Sequence, residues 1–163
     1  MVLSFDEKGK TPIKQFEGRK WCVEKKYFIP ERQKVKGVVN LFAARNLHSG
    51  KFHYKFYDFK NSFIVIDFFS YLLDIYSDKT IYIILDNWSC HRSNAVKAFV
   101  DLHPRIKLVY LPFCASWLND IERDFSIIER CVFRNSNFTS VREMMNATIQ
   151  FIENDPSFNG KSS

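Results

Sequence analysis

Three runs with the apolar alternation of strands come before any helical pattern in this 163-residue chain, and that order restricts the fold more than any other feature. Residues 2–5 form the first run, which leads into Asp6-Glu7-Lys8-Gly9-Lys10, so a strand is expected to end at or near Asp6 with a turn after it. Residues 37–44 and the alternating Phe52, Tyr54 and Phe56 are joined by Asn46-Leu47-His48-Ser49-Gly50, which predicts a hairpin. A helix over residues 62–76 carries Asp67, Ser70 and Asp74, in register with Ser77 just after it, as one polar stripe on an otherwise apolar surface and reads as a core helix. Residues 80–85 are a continuous apolar run suited to a strand buried on both faces, and it ends at Asp86. Ser93 or Asn94 can cap a helix that reaches His103 and is stopped by Pro104; a strand over residues 106–110 follows, closed by Pro112. A helix over about residues 118–134 presents Ile121, Phe125, Ile128 and Val132 on one face, and a last helix spans about residues 141–154.

The order strand, strand, strand, helix, strand, helix, strand, helix, helix implies an α/β fold with a mixed sheet. A three-strand antiparallel opening is joined by two parallel strands, and helices flank the sheet. This is the element order of the RNase H-like fold. A doubly wound α/β sheet competes, but it does not normally begin with three antiparallel strands. A chain of this length can bury one core without disulfides, so residues 1–155 are expected to form a single domain, with residues 156–163 as a polar tail.

The formal charge of +6 and a pI near 9.1 favour a polyanionic partner, because Lys and Arg gain by releasing counterions condensed on nucleic acid. Most of the excess sits in residues 14–36, where Lys14, Arg19, Lys20, Lys25, Lys26, Arg32, Lys34 and Lys36 face only Glu17, Glu24 and Glu31. Phe16, Trp21, Tyr27 and Phe28 are interleaved there, a composition suited to tracking phosphates and stacking on bases, and equally to a solvated hairpin whose aromatics pack on the core. Cys22, Cys90, Cys114 and Cys131 make no CxxC pair, which excludes a zinc ribbon or thioredoxin motif; buried free thiols in a reducing compartment are expected. The N-terminus has neither the basic start nor the apolar segment of a secretory signal, and the apolar stretch 63–76 is too short to span a bilayer, so no membrane role is expected.

Metal-assisted phosphodiester chemistry needs several carboxylates converging on shared ions, and hard divalent cations that keep part of their water need only two or three such acids. Asp6 and Asp86 both stand at the carboxyl ends of expected strands and would lie side by side if those strands were parallel neighbours. Glu122 lies four residues after Leu118 and three before Phe125, at the margin of the apolar face and turned towards the sheet. Asp120 and Asp124 are expected to be ordinary solvated acids. Taken singly, each chosen acid has a structural reading as a turn, cap or helix-dipole residue, so the case rests on the set.

Ile83-Ile84-Leu85-Asp86-Asn87 with His91 after it, Leu111-Pro112, Ala115-Ser116-Trp117-Leu118-Asn119-Asp120-Ile121-Glu122 and Phe125-Ser126-Ile127 resemble the DDE transposases of the mariner superfamily, in the branch found in bacterial and archaeal insertion sequences. Phe5-Asp6-Glu7-Lys8-Gly9 resembles the segment holding that family's first catalytic acid, and the 35 residues between Asp86 and Glu122 are close to the family's spacing. The resemblance implies that Asp6, Asp86 and Glu122 are catalytic residues holding two divalent ions, Mg²⁺ or Mn²⁺. It also implies hydrolysis at transposon ends followed by attack of the freed 3′-hydroxyl on target DNA, commonly at a TA step.

Asn87, His91 and Asn119 match positions with orienting or DNA-contacting roles; for His91 a helix-capping imidazole outside the chemistry is the alternative. The family's N-terminal helix-turn-helix DNA-binding domain is expected to be absent here, so end recognition would be supplied elsewhere, with a homodimer left open and action on chromosomal DNA in the cytoplasm. Cys114 and Asp120 depart from the family's common residues. Two other functions compete: a truncated or domesticated DNA-binding remnant without turnover, favoured by the missing module, and an RNase H-like structure-specific nuclease, which would have no reason to carry the Ser116 to Glu122 run.

Overall fold

The computed structural model describes residues 1–13, 35–113, 115–134 and 136–160. Five strands form one sheet in the order β3-β2-β1-β4-β5. Strands β1 (Val2–Pro12), β2 (Val38–Asn46) and β3 (Phe52–Tyr57) are antiparallel neighbours, whereas β4 (Ile81–Leu85) lies parallel to β1, and β5 (Ile106–Tyr110) parallel to β4. Helices α1 (Ser62–Ile75), α2 (Asn94–Leu102), α3 (Ile121–Ile128) and α4 (Val141–Asn154) complete the mixed architecture that the element order predicts. Asn61, Ser93 and Ser140 cap α1, α2 and α4 by accepting from the backbone N–H of Ile64, Val96 and Glu143.

The period of two in the strands sorts their side chains between two cores. Leu3 and Phe5 of β1 join Phe42 and Ala44 against Val65, Phe68, Phe69 and Leu72 of α1 and Val96 of α2. Leu41 and Ala43 join Ile121, Phe125 and Ile128 of α3 and Met144 and Ile152 of α4 on the other face. Phe5 lies opposite Ala44 and Asp6 opposite Ala43, so Asp6 faces α3 while its neighbour Glu7 faces α1. The aromatic core around Phe5, 5.3 Å from Phe68 and 5.2 Å from Phe69 between ring centroids, makes that segment of β1 the centre of the molecule.

Three expectations are corrected. First, β1 does not end at Asp6. It continues to Pro12 because β2 keeps pairing with it, and the turn-like Gly9-Lys10 is absorbed as an irregularity between Lys8 and Thr11, where Lys10 adopts φ 46° and its N–H donates to Asn40 Oδ1 at 2.9 Å. Second, the helix expected over residues 118–134 is divided. A 3₁₀ turn at Ser116–Leu118 precedes α3, and a π-helical stretch at Glu129–Phe133 follows it. The wider π turn advances the buried stripe by one residue, so Phe133 rather than Val132 is fully enclosed. Third, the segment after α4 is more than a polar tail, because Phe158, on the 3₁₀ turn Pro156–Phe158, packs edge-on against Phe52 at 4.9 Å and is buried.

The cysteines also differ from expectation: Cys131 is exposed and Cys90 half-buried, both as free thiols, while Cys22 and Cys114 lie outside the described residues. Among the described residues no helix is long and apolar enough to cross a membrane.

Candidate active site

Asp6 and Asp86 meet where the sheet divides. Ser4 lies level with Ile84 in the parallel β1–β4 pair, and continuing that register by two residues brings Asp6 level with Asp86. Beyond this point β4 has ended at Leu85, whereas β1 runs on beside β2. The two carboxylates therefore stand at a fork, one on a continuing strand and one at a strand terminus. Asp6 is 8% exposed, and its carboxyl is pushed up to about 8 by burial first and then by the charges of Glu7, Asp86 and Glu122, against a hydrogen bond from the Glu7 N–H at 2.8 Å. Asp86, less buried, is held below the usual carboxylate range chiefly by a hydrogen bond from His91, helped by the Trp88 N–H at 2.9 Å.

Glu122 reaches this neighbourhood from the first turn of α3, and what docks that turn is Asn119. Its amide nitrogen donates to the Phe5 carbonyl at 2.9 Å and its oxygen accepts from Ser4 Oγ; Ser4 Oγ in turn accepts from the Ile121 N–H at 3.1 Å. Asn119 is buried, so the orienting role is the one its position allows. Glu122 itself is exposed, near enough to Asp6 to raise its carboxyl but not folded down onto the sheet as expected. Among the described residues no three His, Cys, Asp or Glu side chains are already gathered tightly enough to hold one ion.

Asp124 is not the solvated acid the sequence suggests, although Asp120 is exposed as expected. It falls three residues after Ile121 and four before Ile128, on the buried stripe of α3, and is 1% exposed. Burial pushes its carboxyl up to about 6 even though Arg45 of β2 stands 3.2 Å away.

His91 is fully buried, 5.5 Å from Phe5 and edge-on to Trp88 at 5.2 Å, and so has no path to DNA. It is not a helix cap either, since Ser93 caps α2. Its Nδ1 lies 2.9 Å from Asp86 Oδ1 and its Nε2 3.2 Å from Glu7 Oε2. Burial alone would lower its pKa, but hydrogen bonds with Asp86 and Glu7 outweigh it and raise it to about 9, so the ring is a cation at neutral pH. Asn87 ties the loop after β4 to the end of β5, donating to the Leu111 carbonyl and accepting from Arg92 at 3.3 Å.

Glu7 and Lys60 are the residues that sequence reasoning missed. Lys60 Nζ sits 2.7 Å from Glu7 Oε1 and 4.1 Å over the Trp88 ring. The available signal was parity: if β1 runs past Asp6, Glu7 must point into the same core as Phe5, where an acid needs partners. Lys14, Arg19, Lys20, Lys25, Lys26, Arg32 and Lys34 lie outside the described residues; Lys36 is described and exposed.

A family model for the DDE superfamily endonucleases matches residues 2–145. The uncharacterized 39 kDa protein of insertion element IS630 from Shigella sonnei is 27% identical over 82 residues, which is 50% of this chain and 24% of that protein. Among solved structures, the Mos1 transposase paired-end complex with left transposon end superposes with a TM-score of 0.75 at 12% identity, over 96% of this chain and 49% of that one. The simian T-cell lymphotropic virus intasome gives 0.62 at 13% identity, over 94% and 49%. At such identities these likenesses establish the RNase H-like fold. The chain spans about half the length of these two structures, and its aligned part about a quarter of the insertion-element protein.

Proposed function

This chain belongs to the DDE superfamily endonucleases, and on that premise we propose that it is the catalytic domain of a transposase, cutting DNA at transposon ends and joining the freed 3′-hydroxyl to target DNA. The observation that carries this reading is the convergence of acids from three separate elements: the parallel β1–β4 register, continued by two residues, sets Asp6 level with Asp86, and Glu122 of α3 stands near enough to help raise the buried Asp6 carboxyl. Crowded carboxylates are costly without a cation, and oxygen donors of this kind suit Mg²⁺ or Mn²⁺. Asp6, Asp86 and Glu122 would hold two such ions. When bound, the ions acidify an attacking water and stabilise the leaving oxygen.

The protein's own contribution is placement. Strands β1 and β4 set two carboxylates side by side, Asn119 docks α3 so that the exposed Glu122 can turn inward, and His91 with the Trp88 N–H holds Asp86. Recognition of the transposon ends is proposed to lie with a separate DNA-binding module and assembly as a homodimer, with the domain acting on chromosomal DNA in the cytoplasm.

Titrating Mn²⁺ into the wild type and into Asp86→Ala by calorimetry tests the reading directly. Saturable binding that disappears in the variant is expected. Absence of binding in both, with and without DNA, would leave only an inactive DNA-binding remnant. The pH dependence is a second check. Asp6 carries a proton below about 8 that a ligated ion must displace, so affinity should rise about tenfold per pH unit below pH 8 and level off above it. A flat profile from pH 6 to 8 would remove Asp6 from the ligand set.

Lys14, Arg19, Lys20, Lys25, Lys26, Arg32, Lys34 and Lys36 are proposed to run along DNA phosphates. Replacing any one by Gln should weaken DNA binding without changing the rate at saturating DNA, and should reduce the slope of log affinity against log salt by roughly one if that residue contacts a phosphate. An unchanged slope across all eight variants would place the DNA on another surface.

A further inference from the structure

We propose that Lys60, Glu7 and His91 form a positioning chain that sets the orientation of the Asp86 carboxylate from beneath, so that one of its oxygens is presented to a divalent ion. The inference rests on the reading of Asp86 as a ligand and extends it to three residues outside the acid triad.

Asp86 follows the last residue of β4, and a carboxylate at a strand terminus turns freely unless something holds it. Two donors do, His91 Nδ1 at 2.9 Å and the Trp88 N–H at 2.9 Å, and both fall on Oδ1. Among the described residues Oδ2 has no partner, and it is the oxygen left for a ligand. Fixing one oxygen of a carboxylate from behind is how outer-shell groups aim a metal ligand.

The imidazole can do this only if it is itself fixed and if Nδ1 carries a proton. Phe5 and Trp88 wall the ring, and Glu7 engages Nε2 at 3.2 Å from the opposite face of β1 to Asp6. Glu7 is buried to 2% side-chain exposure, and its second oxygen is taken by Lys60 at 2.7 Å, whose ammonium also stacks on Trp88. An acid and a histidine enclosed together in an aromatic core are poor packing elements. Their value lies in the direction they impose: the only described end of the chain that reaches a partly open carboxylate is Asp86, at 37% side-chain exposure.

The test uses Mn²⁺ alone, with the whole chain, read by calorimetry and by the electron paramagnetic resonance line shape of the bound ion. Glu7→Gln can accept from only one of its two partners and turns an amide donor towards the other, so Mn²⁺ affinity should fall roughly 10–100-fold with an altered line shape. Lys60→Arg, which keeps the charge beside Glu7 and over Trp88, should hold Mn²⁺ affinity within about threefold of wild type, whereas Lys60→Met should lose it as Glu7→Gln does. His53→Gln, which breaks a buried hydrogen bond to the Tyr76 hydroxyl at the far end of β3, serves as the control for general destabilisation and should leave Mn²⁺ affinity unchanged.

Wild-type affinity in Glu7→Gln, or an equal loss in His53→Gln, would overturn the positioning chain and leave the proposed function standing. Failure of the wild type itself to bind Mn²⁺, with or without DNA, would overturn the ligand reading and this inference with it. If Glu7→Gln does not fold, Lys60→Met, altered at a side chain 29% exposed, decides by the same criterion.

Discussion

Asp86→Asn is expected to abolish cleavage of transposon-end DNA, a loss on the order of 10³-fold or more, while the chain keeps its fold. The amide matches the carboxyl in size and can still accept from the Trp88 N–H, so the loop after β4 has no reason to collapse. What disappears is a negative charge beside Asp6, and a loss of several kcal/mol of charge stabilisation in the transition state corresponds to that factor. The variant also deprives the buried His91 of one of its two carboxylate partners, so a modest fall in thermal midpoint should accompany the loss. Nicking assays at saturating DNA, with circular dichroism as the control on folding, separate the two effects. Nicking at the wild-type rate would refute the assignment of Asp86.

The largest effect on stability is expected at Arg45. Arg45→Met strands Asp124, 1% exposed, without its counter-charge, and breaking a buried pair in this way costs about 3–5 kcal/mol. For a domain of this size that is a fall of roughly 8–15 °C in thermal midpoint. It also removes the donor to the Ser157 carbonyl at 2.7 Å, which loosens the final turn around Phe158.

The pH dependence of this variant follows from Asp124. Its folded carboxyl, at about 6, already lies above the ordinary aspartate value of 3.8, so the folded chain binds the extra proton and stability from this group declines as pH rises through that window. Without Arg45 the window extends upward, and the midpoint of Arg45→Met should recover more than the wild type's when pH is lowered from 7 to 5. The pair is not well satisfied even as it stands, since Arg45 Nη1 and Asp124 Oδ2 have no hydrogen-bond partner among the described residues. Arg45→Met combined with Asp124→Leu should therefore regain most of the loss. If the double variant melts as low as the single one, the cost lies in packing rather than in the stranded charge.

The architecture was legible in the sequence because apolar periodicity reports which face of each element is buried, and every strand and helix that positions Asp6 and Asp86 announces itself that way. Charge is where the reading failed. Asp124 occupies a core position of α3, and a pattern that sorts residues by polarity assigns such an acid to solvent; Arg45, distant in sequence, is the main described charge that makes its burial tolerable, with Arg123 helping. Glu7 was hidden for a related reason: Glu-Lys-Gly-Lys looks like a turn, and the pairing with β2 that keeps it extended is a non-local interaction. Glu122 was read from its helix position, at the margin of the apolar face and turned towards the sheet; its side chain is exposed instead, because a residue at such a margin can turn either way. The π-helical stretch after α3 has no local signature in its residues.

The fork in the sheet gives the three acids unequal mechanical footing. Asp6 is built on a central strand that pairs with β2 on one side, from Leu3 through Lys8, and with β4 on the other just before it. Asp86 sits where hydrogen-bonded backbone gives way to loop, and Glu122 rides a helix whose junction with β1 depends on the two small side chains Ser4 and Asn119. A cleft with one stiff wall and one compliant wall changes width by moving the compliant wall, so a small rocking of α3 about Ser4 would alter the reach of Glu122 while the position of Asp6 stays constant.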